Sequence, residues 1–80
     1  MTKQNVFRLG VLRGRMLATS DDAEHCFAVE QIRNIITAEI VAAMGESSIF
    51  EASISIASEC GDEYIGVEVF SVASEIIKTN

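Results

Sequence analysis

The chain has no proline and no tryptophan, one histidine and two cysteines. The scarcity of reactive residues and the absence of recognisable motifs each remove a class of reading. Cys26 and Cys60 are too few for a disulfide framework. The lone His25 leaves a histidine-based nucleophilic site few ways to form. No apolar run approaches the roughly 18–20 residues that cross a bilayer. Residues 1–5 are polar, and Arg8, Arg13 and Arg15 break the next apolar stretch, so no signal peptide is expected. The motifs G-x-S-x-G, G-x-x-x-x-G-K-S/T, G-x-G-x-x-G, H-E-x-x-H and C-x-x-C are all missing. The expectation is therefore no enzyme, no cofactor, no resident metal and no membrane partner, in a reducing cytoplasm.

Positive charge is also scarce. Six Lys and Arg stand against twelve Asp and Glu, for a net charge of −6 over 80 residues. That balance argues against wrapping phosphates, so no direct nucleic-acid binding is expected. An apolar fraction of 49% excludes an acidic disordered tail. The length bounds the chain to one small domain spanning residues 1–80. A domain of this size buries only about 60–65% of its unfolded surface, so self-association would help it.

The charge is unevenly placed. Residues 1–20 hold Lys3, Arg8, Arg13 and Arg15 with no acid; residues 21–80 hold Arg33 and Lys78 against all the acids. Cross-strand pairing of an Arg-bearing strand with a Glu-bearing one would account for this split. The alternative is an N-terminal arm that pairs with a second subunit or an acidic partner.

Patterning predicts an α+β fold. In residues 6–19, Phe7, Leu9 and Val11 alternate with Arg8 and Gly10, as in a half-buried strand. The alternation then changes phase, which Gly10 or Gly14 could absorb as a bulge; a hairpin at Arg13-Gly14 is the alternative. Residues 20–45 read as a helix, capped by Ser20 or Asp21 and closed by Gly45. Its apolar stripe is Ala28, Val29, Ile32, Ile35, Ile36, Ile40 and Ala43, with Arg33 on the wet side. Residues 49–58 alternate with Phe50, Ala52, Ile54 and Ile56 on one face and Glu51, Ser53, Ser55 and Ala57 on the other. After a turn at residues 60–63, residues 64–73 return as a third strand. The resulting arrangement is β-α-β-β, one long helix on a three-stranded, mainly antiparallel sheet of order 1-3-2. It sets the Arg strand beside the strand that carries Glu68 and Glu75.

This topology would gather Asp21, Asp22, Glu24, Glu59, Asp62 and Glu63 at one end, with His25, Cys26 and Cys60 near them, and Lys3, Lys78 and the free amine at the other. The six acids would then be a docking patch for a protein with a basic surface. Zinc would find ligand types there but no supporting spacing, so two inert, largely buried thiols are expected. Phe27, Ala38 and Val41 lie away from the main helical stripe, and Phe70 and Val72 break the strand pattern. These five are the expected self-association surface of a homodimer.

Three functions compete: a non-enzymatic inhibitor or adaptor that occludes a partner, an assembly subunit whose role is oligomerisation, and a small-molecule or metal-binding domain. In size and acidity the chain resembles the small acidic inhibitors of phages and mobile elements, anti-CRISPR proteins among them. That resemblance implies steric blocking of a defence complex and carries no residue roles.

Overall fold

The computed structural model describes residues 1–79, which form four helices and no strand. They are α1 (Lys3–Ala18), α2 (Asp22–Ala43), α3 (Ile49–Cys60) and α4 (Glu63–Thr79). The α+β expectation is therefore corrected to an all-α bundle, with helices over all three segments expected to be strands.

Each helix begins at a side chain that satisfies the free N–H groups of its first turn. The Thr2 hydroxyl accepts from the Asn5 N–H at 3.2 Å. The Asp21 carboxylate accepts from the Ala23 and Glu24 N–H groups. The Ser48 hydroxyl accepts from the Glu51 N–H at 3.1 Å, and Asp62 accepts from the Ile65 N–H at 3.0 Å. The stops differ from expectation at one point. Helix α2 ends at Ala43 with Met44 as its right-handed cap, so Gly45 is not a left-handed terminator. Gly61 is: at φ 62° it closes α3 and turns the chain into α4, a conformation that a Cβ would strain.

Short connections make two antiparallel hairpins. In the first, Asn5 near the start of α1 hydrogen-bonds Glu39 near the end of α2, while the Thr19 hydroxyl donates to Glu24 at 2.7 Å across the turn. In the second, Gly66 of α4 faces Ala57 of α3, where an added Cβ would lie 3.9 Å from the Ala57 methyl. Stacking the hairpins buries Leu9 and Met16 of α1, Ile32, Ile36 and Ile40 of α2, Ile56 of α3, and Ile65, Val69 and Val72 of α4. Helix α2 is the axis of this core; at about 1.5 Å per residue it spans most of the 38 Å long dimension.

Helical spacing reverses several facings expected from alternation. Ser53, expected outward, is 1% exposed and donates its hydroxyl to the Ile49 carbonyl at 2.7 Å. Phe7, Phe50 and Ile54, expected inward, are exposed. Phe70 is exposed as well, but Val72 is in the core at 2%. The ion pairing also changes partners. Glu68 and Glu75 do not meet the arginines of α1; both meet Arg33 of α2. Of the four cations in α1, Arg13 alone forms an ion pair among the described residues, with Asp62.

Candidate functional site

A groove of about 540 Å³ lies between the end of α1 and the start of α2. Leu12 and Ala18 line it from α1, and Ala23 and Phe27 from α2, with Arg15 and Glu24 at its sides. Thr19, in the turn between the two helices, lines it too. There Thr19 caps α1 through its N–H and ties α2 through its hydroxyl. Ala28 and Ile32 of α2 point to the core, which places Phe27 one residue round the helix, away from it. Phe27 is 57% exposed. Arg8 and Arg15 share a stripe of α1, seven residues apart, and neither forms an ion pair among the described residues.

The six carboxylates expected in one docking patch fall on two different turns. Asp21, Asp22 and Glu24 stand at the α1–α2 turn; Glu59, Asp62 and Glu63 stand at the α3–α4 turn. Four of the six are engaged by the chain itself: Asp21 in a cap, Glu24 by Thr19, Glu59 by the N-terminal amine at 3.3 Å, and Asp62 by Arg13. The free amine, expected at the far pole, is thus at the α3–α4 turn. The Arg13 guanidinium lies 4.6 Å from the Tyr64 ring centroid, a cation–π contact. Its Nε is 3.5 Å from Asp62 and makes no hydrogen bond, so that pairing is electrostatic. Burial, with Glu68 adding to it, holds the Tyr64 hydroxyl above its ordinary pKa.

Of the residues expected to mediate self-association, Phe27, Ala38, Val41 and Phe70 are exposed, on two helices. Val72 is unavailable because it packs in the core. The sequence reading missed Phe7, Val11, Leu17, Phe50, Ile54, Val67 and Ile77, which are exposed as well. All four phenylalanines therefore face solvent, against the usual burial of such residues. The signal lay in the helical wheel: α1 and α4 carry a second apolar stripe opposite the buried one.

The thiols also differ from expectation. Cys26 is exposed rather than buried, and Cys60 is half-buried. Burial pushes the Cys60 thiol up, and Glu59 and Asp62 push it further, against the N-terminal amine. Among the described residues no three His, Cys, Asp or Glu stand close enough to hold a metal ion, and no helix is long and apolar enough to cross a membrane. A maleimide should label Cys26 at least about ten-fold faster than Cys60, since Cys26 is exposed while burial shields the Cys60 thiol and raises its pKa. Equal rates by mass spectrometry would contradict these environments.

Comparison of the chain with protein-family models, with curated proteins and with solved structures yields no match.

Proposed function

We propose that this chain is a non-enzymatic protein-interaction module that acts by occupying a partner, and that the α1–α2 groove is its docking site. The observation that carries this reading is the exposed apolar floor formed by Leu12, Ala18, Ala23 and Phe27. The occupant it fits is an amphipathic helix of a partner protein, its apolar side in the groove and its carboxylates against Arg8 and Arg15. Three features favour an acidic occupant: α1 carries four cations and no acid, two of these cations share one stripe of α1, and neither of the two forms an ion pair among the described residues. The acidic turns are a weaker basis for docking a basic partner, because four of the six carboxylates are already engaged by caps, a hydrogen bond or ion pairs of the chain itself.

The test is capture from an extract of the native cell, comparing the wild-type chain with Phe27→Asp. Phe27 is exposed, so the substitution should cost the fold less than about 1 kcal/mol. A charge in the apolar floor should weaken a genuine partner at least about 30-fold. A protein retained by the wild type and lost from the variant supports the reading; identical captured sets from both refute it.

A further inference from the structure

The outward stripe of α4 has a pattern that the groove does not explain. Glu63, Val67, Phe70, Ser74 and Ile77 follow one another at spacings of 4, 3, 4 and 3, and all are exposed. The opposite stripe, Ile65, Val69, Val72 and Ala73, already fills the core. A second stripe at this spacing is the seam by which one helix packs along another at a shallow angle. It spans about 21 Å at 1.5 Å per residue.

The ends of the seam carry opposite charges. Glu63 stands at the start of α4 and Lys78 at its end, and neither forms an ion pair among the described residues. We propose that a second copy of this chain docks on α4, with the two α4 helices antiparallel about a twofold axis beside Phe70. A register that sets Glu63 beside the second copy's Lys78 also sets Val67 beside its Ser74. The same register brings the two Phe70 rings together at the axis. Parallel pairing would set Glu63 on Glu63 and Lys78 on Lys78, so charge selects the antiparallel arrangement. Helix α3 widens the surface. Phe50 and Ile54 lie on the stripe that carries Ala57, which faces Gly66 of α4, and both are exposed. A standard interface takes about 800 Å² from each partner, roughly a sixth of this chain's 5135 Å².

The proposal is independent of the groove reading, because α4 does not line the groove. Its test is sedimentation equilibrium of the full chain from micromolar to millimolar concentration. The wild type should reach twice the monomer mass of 8.7 kDa. Phe70→Asp should remain monomeric at unchanged helicity. Glu63→Lys alone and Lys78→Glu alone each set like charges together at two symmetric places, and each should weaken the dimer about ten-fold. The double swap Glu63→Lys/Lys78→Glu restores opposite charges and should return the dimer to within about three-fold of wild type. Both substitutions oppose the dipole of their own helix, so a mere folding defect would leave the double variant worst of the three. Phe27→Asp should leave the dimer intact, which separates this surface from the groove. A wild type monomeric throughout, a dimer that survives Phe70→Asp, or a double swap no better than the single variants would overturn the proposal.

Discussion

Ile56→Ala should cost the fold about 3 kcal/mol, while Ile54→Ala, two residues earlier, should cost less than about 1 kcal/mol. Ile56 is 3% exposed and sits in the core cluster; Ile54 is 43% exposed on the far side of the same helix. Truncating Ile56 removes buried methyl and methylene groups and leaves a cavity that the surrounding Ile, Val and Leu side chains fill only in part. A chain of this length has about 4–12 kcal/mol of stability in all, so one such loss takes a large share of it. The melting temperature should fall by roughly 12–24 °C for Ile56→Ala. Urea unfolding of both variants at constant slope decides the point. The contrast matters more than either value. On a strand, residues two apart share a face, so Ile54 and Ile56 would have been truncated at similar cost. Equal losses would reject the helical assignment of α3.

The same pair shows how much of the fold was legible. Residues 49–58 alternate cleanly, yet Ile49, Ala52, Ser53 and Ile56 also recur at helical spacing, and both readings fit so short a stretch. Period-two alternation favours strands in so short a stretch, although tertiary packing decides between the two periods. In α1 the change of phase after Val11 was itself the helical signal. Leu9, Leu12 and Met16 fall on one stripe at steps of three and four, with no bulge needed. In α4, Phe70 and Val72 broke the strand pattern for the same reason. One belongs to the outer stripe and the other to the core. Helix α2 was readable because it has an Asp21 cap and an apolar stripe that includes Ile32, Ile36 and Ile40, in an element of 22 residues, too long for a strand. The candidate site was less legible. Phe27 was distinguishable as an off-stripe apolar residue, but the groove beside it needs α1 to be a helix. The single acid cluster depends on a sheet topology that the chain does not have, and its six members stand at two different turns.

Arg33→Ala should cost about 2–3 kcal/mol, more than the loss of any other ionic side chain. Arg33 bridges α2 to α4 by donating from Nη1 to Glu68 at 3.1 Å and to the Ser71 hydroxyl at 3.3 Å, and from Nη2 to Glu75 at 2.7 Å. Burial by itself would lower the guanidinium pKa, but hydrogen bonds and charge from Glu68 and Glu75 outweigh it and raise the pKa overall. The two carboxylates are not equivalent. The Glu68 side chain is 14% exposed, so removing Arg33 leaves a poorly hydrated negative charge between helices; Glu75 is 66% exposed and water replaces its partner. Glu75→Ala should therefore cost less than about 1 kcal/mol. Arg33→Lys should fall between, since an ammonium cannot serve both carboxylates with one planar fork. Replacing the pair together, as Arg33→Met/Glu68→Leu, should recover most of the stability, because it removes the stranded charge and keeps apolar bulk. Thermal and urea unfolding at neutral pH measure all four variants. A cost for Glu75→Ala equal to that of Arg33→Ala, or a double variant no better than the single, would show that the seam does not depend on desolvation of Glu68. The sheet reading had paired Glu68 and Glu75 with the arginines of α1. The network instead fixes the second hairpin against α2, and it does so with a residue whose polarity had marked it for solvent.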